Sequence, residues 1–385
     1  MSNLMDKYKD YLNSDNSQAY EVDNIGKTST VKKTKNLEKI LASREKIRKR
    51  SCETVTFSSP IISFNDVGII YPNTINVIQG KKGVHKSRLT EVFCALMLCQ
   101  DLIKKFLGMK RNAMAGSVVL YVDTERNIKD QFPYAIQKIK IMSGFEKESE
   151  PPNLDFISLI DVPRQERFAT LNEYIDTFRV KFQAYNLLIV FDVVTDCVED
   201  FNNVRESLKF VDMLNETINN YNVTFLCVIH ENPASGNDKG RGHLGTELNN
   251  KASQVMQIGF EKDNNNNDTD LIRIKFLHSR NTKRLEPIYI QYSEESKGLV
   301  LADTSFVSEK LALKQSKANI GEVHKWMTEN LIEPMSKSDL IEKLKVVFDC
   351  EDRTLEKRLT DLTELGSIER YIVGRNAFYR LLIPF

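Results

Sequence analysis

Between residues 75 and 230, short runs of consecutive apolar residues alternate with longer stretches whose apolar positions recur at helical spacing. The runs span 75–78, 117–123, 154–159, 186–192 and 223–230. Uninterrupted apolar runs of this length read as strands buried on both faces, as in a parallel sheet. The first helical stretch places Leu89, Val92, Phe93, Leu96 and Met97 on one face, and further helices are expected at 128–143, 170–184 and 204–221. Such alternation predicts an α/β domain, a mainly parallel sheet with helices on both faces. A short helix at 243–252 follows, then strands at 254–261 and 271–278 joined by a polar turn, and another at 288–292. These hairpin strands are expected to extend one edge of the sheet.

The pattern changes at both ends. Residues 1–52 are polar and charged, with large apolar side chains mainly around Leu37, Ile40 and Leu41. They predict a mobile arm carrying one helix, at 37–49. Residues 54–72 read as strands and turns leading into the α/β domain, whose expected limits are 53–305. The remainder, 306–385, reads as helices at 321–329, 336–346 and 353–365, then strands at 367–372 and 377–382 about a turn at Gly374 and Arg375. Three helices followed by a two-stranded wing is the order of a small α+β winged helix. Its third helix carries Arg353, Lys357 and Arg358, suited to phosphate contacts, alongside Glu351, Asp352, Glu356, Asp361 and Glu364. DNA and protein are therefore equal candidates for its partner.

Charge adds little to this picture. The chain of 385 residues carries a net +1, so overall charge names no partner. The basic excess at 27–50 suits either a nucleic-acid contact or a solvated tail. Six scattered cysteines, most of them in apolar runs, give neither a disulfide framework nor zinc-ligand spacing, which fits a reducing compartment. No stretch reads as a signal peptide or a membrane span, so a cytoplasmic protein is expected.

The chemistry concentrates at the ends of the apolar runs. The first leads into GKKGVHKS, residues 80–87. A strand, a tight turn, Lys-Ser and a helix form a phosphate cradle, in which loop N–H groups and the helix N-terminus converge on a polyphosphate. Gly80, Gly83, Val84, His85, Lys86, Ser87 and Arg88 are the candidate nucleotide contacts. Lys86 would reach the β- and γ-phosphates and the Ser87 hydroxyl would bind Mg²⁺. His85 stands where the motif has its second glycine, a position that needs an unusual backbone conformation. An ordinary strand-turn-helix with a lysine also fits this segment. The second run ends in Asp123-Thr124-Glu125, placing carboxylates where water would be oriented. The fourth ends in Asp192, suited to Mg²⁺, and the fifth in His230. The loop 231–242 after it is rich in Gly, Asn and Ser.

In this order, residues 58–304 resemble the RecA-like ATPases of the hexameric replicative helicase group, nearest to plasmid RepA-type and DnaB-like motors. The resemblance implies ATP and Mg²⁺ as ligands and assigns roles residue by residue. GKKGVHKS matches the nucleotide loop, Glu125 the glutamate that activates the attacking water, Asp192 the Walker B aspartate and His230 the γ-phosphate sensor. The loop 231–242, with Lys239 and Arg241, matches a DNA-contacting loop inside the ring. Arg280, in KFLHSRN, resembles an arginine finger that reaches a neighbouring subunit's nucleotide. His85, and His278 where related motors often have a lysine, depart from the pattern, and a C-terminal winged helix is not general in the group. The resemblance extends to ATPases of plasmids and mobile elements. It implies a DNA-dependent ATPase, a ring-forming helicase or motor, homo-hexameric and acting on single-stranded more than duplex DNA. The competing reading is an ATP-binding switch that assembles on DNA or a partner without unwinding. Asp123 is the alternative to Glu125 as base.

Overall fold

The computed structural model describes residues 34–112, 116–182, 185–232, 238–263, 267–283, 285–312, 318–374 and 376–382. The expected arm before residue 34, the middle of the loop 231–242 and Arg375 of the C-terminal turn lie outside the described residues. The chain divides into two units, Met1–Phe57 and Ser58–Phe385.

In the first unit, helix α1 (Lys35–Ser51) is capped by the Thr34 hydroxyl, which accepts from the Leu37 N–H at 3.3 Å. Glu38 in its first turn and Arg48, Lys49 and Arg50 in its last suit the helix dipole. Leu37, Ile40, Leu41 and Ile47 are all exposed.

The second unit is a mixed α/β structure built on a nine-stranded, mostly parallel sheet. Its strands are β3 (Ile75–Gly80), β6 (Ser117–Asp123), β7 (Leu154–Ser158), β8 (Asn186–Asp192), β9 (Val223–His230), β10 (Gln254–Lys262), β11 (Asp268–Ser279), β12 (Ile288–Ser293) and β13 (Gly298–Leu301), in spatial order β13-β12-β11-β10-β3-β9-β8-β6-β7. From β10 through β7 neighbours run parallel, and from β10 to β13 antiparallel. The hairpin strands do extend one edge.

Strict alternation along the strands feeds two cores. Val118, Leu120 and Val122 face α4 (Arg167–Lys181), α5 (Val204–Tyr221) and α6 (Gly242–Lys251), in a cluster with Leu171, Phe210 and Leu244. Val119 and Tyr121 face α2 (Lys86–Leu98) and α3 (Gln131–Met142), with Phe93 and Ile136. The second core is completed by a four-stranded sheet from β1 (Ile62–Phe64), β2 (Val67–Ile70), β4 (Lys105–Phe106) and β5 (Met109–Arg111).

Helix α3 starts at Gln131, later than the spacing predicts, because the Asn127 side chain accepts from the N–H groups of Lys129 at 3.1 Å and Asp130 at 2.9 Å. This local turn competes with helix. After α7 (Thr304–Ala312), the C-terminal segment forms α8 (Ile320–Asn330), β14 (Met335–Ser336), α9 (Lys337–Phe348), α10 (Asp352–Glu364), β15 (Ile368–Val373) and β16 (Asn376–Leu381). They close on a core of their own that includes Val323, Met327, Leu344, Leu359 and Tyr379. The short β14 adds a third strand to the expected pair, in the order β14-β16-β15.

Candidate functional site

The turn between β3 and α2 has the backbone that its sequence demands. A Cβ on Gly80 would lie 2.4 Å from the Ile258 carbonyl oxygen, so only glycine fits there. Gly83 has φ 84°. His85, at the N-cap of α2, has φ 64° and ψ 28°, the left-handed region that the missing glycine would enter freely. Val84 is buried. Lys86 Nζ donates to the carbonyl oxygens of Gly80 at 3.0 Å and Lys81 at 2.7 Å, and lies 3.2 Å from His230 Nδ1. Burial pulls the Lys86 pKa down, against the opposing influence of Asp192, Glu125 and Glu231. Arg88 instead turns to the β12–β13 hairpin, donating to the Lys297 carbonyl at 2.7 Å.

The parallel register gathers the strand ends. Gly80 pairs with His230, and Asp123 with Asp192. His230 Nε2 lies 3.6 Å from Glu125 Oε1, so Lys86, His230 and Glu125 form one cluster. Glu125 keeps a 49% exposed side chain, and His230 beside it is the main cause holding its carboxyl below the usual range. Asp123, 1% exposed, is engaged in structure. It accepts from the N–H of Glu125 at 3.2 Å and of Arg126 at 2.8 Å, and from Arg126 Nε at 2.6 Å. Burial raises its pKa despite Arg126.

Arg126 is a residue that sequence reasoning missed. Its guanidinium also stands 3.4 Å from Asp192 and 3.5 Å from Glu91. Tyr121 donates to Asp192 Oδ2 at 2.8 Å and lies 2.8 Å from the Thr90 hydroxyl. The one sequence signal was the spacing of Arg126 from Asp123. Tyr121 lies within an apolar run, and Thr90 and Glu91 lie off the apolar face of the first helix, so none of the three gave a signal.

Among the described residues no group of three or more His, Cys, Asp and Glu could hold a metal ion. Magnesium at a phosphate needs fewer protein ligands. Two oxygens here suit it, since the Ser87 hydroxyl and Asp192 Oδ1 have no hydrogen-bond partner among the described residues, whereas Asp192 Oδ2 is occupied by Tyr121.

The loop after β9 is closed at its base. Glu231 bridges to Gly240, the Arg241 N–H donates to the His230 carbonyl at 2.7 Å, and the Asn232 N–H to the Lys239 carbonyl at 3.3 Å. Glu231 is buried and accepts from Gln79 at 2.9 Å and Gln257 at 2.6 Å, and burial raises its pKa. Lys239 is exposed, while the Arg241 guanidinium lies over the Phe201 ring, 4.6 Å from its centroid.

Arg280 is not brought to this cluster. Ser279 pairs with Gln254, which pairs with Asn76, so Arg280 stands at the far end of β3 from the loop. Its guanidinium donates to the Asn250 carbonyl. On α10, Arg353 and Lys357 are exposed, but Arg358 donates to the Ala318 carbonyl at 2.9 Å and to Asp361 at 3.3 Å.

No family model and no curated protein matches the chain. Among solved structures it is similar to the crystal structure of the RadB recombinase, at 14% identity and a TM-score of 0.42, over 62% of this chain and 94% of that one. So distant a likeness carries no functional weight, and the site's own geometry must. No helix among the described residues is long and apolar enough to cross a membrane.

Proposed function

We propose that this chain is a RecA-like ATPase, with the phosphate loop at residues 80–87 and hydrolysis at the Lys86–His230–Glu125 cluster. The observation that carries the reading is that cluster itself. A buried lysine at a helix N-terminus lies 3.2 Å from a histidine, which in turn lies 3.6 Å from a half-exposed carboxylate. Lys86, held by the Gly80 and Lys81 carbonyls, exchanges these contacts for the β- and γ-phosphate oxygens, while loop N–H groups and the start of α2 bind the rest of the polyphosphate. Glu125 is ionised and orients the attacking water. His230, between lysine and glutamate, senses the γ-phosphate. Ser87 and Asp192 would hold Mg²⁺, which neutralises charge on the phosphates.

The finer assignment is to a ring-forming replicative helicase or motor of the plasmid RepA type. Lys239 and Arg241 would be its DNA contacts, Arg280 would act on the neighbouring subunit, and residues 306–385 would be a winged helix using Arg353 and Lys357. A second reading, an ATP switch that assembles without unwinding, is favoured by a specific observation. Arg241 and Arg358, two of the five expected DNA contacts, are already engaged by Phe201 and by Ala318 and Asp361. ATP binding and hydrolysis, measured with and without single-stranded DNA beside strand displacement, test both. Lys86→Ala should lose ATP binding with unchanged circular dichroism, and unchanged affinity would end the ATPase reading. Stimulated hydrolysis without displacement would favour the switch.

A further inference from the structure

Beside the phosphate loop lies an aromatic cluster that this chemistry does not use. The His85 ring stacks on Tyr292, with centroids 5.3 Å apart and planes inclined by 7°, and meets Phe260 edge-on at 5.9 Å. The Arg88 guanidinium covers Tyr292 at 4.8 Å. Arg88 of α2 and Lys138 of α3 both donate to the Lys297 carbonyl, in the turn between β12 and β13. Two cations from two helices thus fasten the hairpin that presents Tyr292 to His85.

His85 is where an L-residue needs help. At φ 64° a side chain raises the free energy of a conformation that glycine adopts freely, and the His85 side chain makes no capping hydrogen bond that would offset this. We infer that Tyr292 is a positioning residue for the phosphate loop, holding His85 and hence the backbone from Val84 to Lys86 in the left-handed turn that aims the loop at phosphate. It does for histidine what glycine's freedom does unaided. The role rests on the ATPase reading for its consequence, though not for its geometry.

A double-mutant cycle tests this, with two readouts. With His85 present, Tyr292→Ala should weaken ATP binding about tenfold, the size expected from the cost of a left-handed residue. Tyr292→Phe keeps the ring and should stay within about twofold of wild type. In the His85→Gly background, Tyr292→Ala should change affinity by less than about twofold, because glycine takes the left-handed turn without the ring. Equal losses in both backgrounds would overturn the inference, since a ring that touches nucleotide or merely supports the fold does not depend on residue 85. The second readout is amide hydrogen exchange of residues 82–87 without nucleotide, which Tyr292→Ala should speed only where His85 is present. Unchanged exchange there would also overturn it. If Lys86→Ala leaves ATP affinity intact, the ATPase reading falls, and exchange alone still decides the role of Tyr292.

Discussion

The two ends of the central sheet are built in opposite ways. At the end where β3, β6, β8 and β9 finish, the parallel register collects Gly80, Asp123, Asp192 and His230, and the side chains there are mostly buried and mutually engaged. At the other end, Arg280 and the last turn of α6 meet in an exposed contact between a guanidinium and the Asn250 carbonyl. About 16 Å of strand separates them, from Ile75 to Gly80. One register thus both assembles the cluster and denies it Arg280. If Arg280 acts on a nucleotide, it acts on one bound by another copy.

Arg280→Ala should have the greatest consequence. A finger supplied in trans is worth roughly 10³–10⁵ in turnover, so the variant should bind ATP normally, hydrolyse it poorly, and regain activity when mixed with Lys86→Ala subunits. Unimpaired turnover would leave Arg280 a local clamp on α6. At the crowded end, His230→Ala should lower turnover by roughly 10²-fold, the low end of what a positioned polar group contributes. It should leave ATP affinity nearly unchanged, as a nucleotide titration beside steady-state kinetics would show.

The exposed Lys239 tests whether the loop after β9 faces DNA. Lys239→Ala should reduce the slope of log affinity against log salt by about one, without altering ATP binding. An unchanged slope would move the DNA contact elsewhere. The smallest effect concerns Glu231, whose carboxyl burial raises. A raised acid stabilises the fold below its unfolded pKa and loses that contribution as pH rises through the folded value. Wild type should therefore lose melting temperature relative to Glu231→Gln as pH rises from the acid range toward neutrality. Parallel melting curves would mean that Glu231 titrates normally.

The sheet was legible because its strands are long apolar runs with strong stops. Residues 186–192, 204–221 and 223–230 fold within the limits their pattern predicts. The helix among them is bounded by the Asn203 cap, which accepts from Arg205 and Glu206, and by Asn222 in the left-handed region. The β4–β5 pair and β13 escaped because strands of two to four residues carry no period. In the site, the left-handed demand at residue 85 was visible as a missing glycine, but the answering Tyr292 lies far along the chain. Arg126 had only its spacing from Asp123 to mark it, and the rest of its role was hidden for the same reason. Its partners Glu91 and Asp192 come from other elements, and only the fold sets them around one guanidinium. Arg358, read as a phosphate contact from its helix, is turned inward by Ala318, which no helical spacing reveals.

The most direct measurement is the split between ATP affinity and turnover in Glu125→Gln, with Asp123→Asn beside it. Glu125 is half exposed and next to His230, which holds its carboxyl below the usual range, whereas Asp123 is buried under Arg126. The expected result is a Glu125→Gln protein that binds ATP within a few-fold of wild type and hydrolyses it at least about 10²-fold more slowly. Turnover that survives Glu125→Gln but disappears in a folded Asp123→Asn would contradict the assignment of hydrolysis to the Lys86–His230–Glu125 cluster.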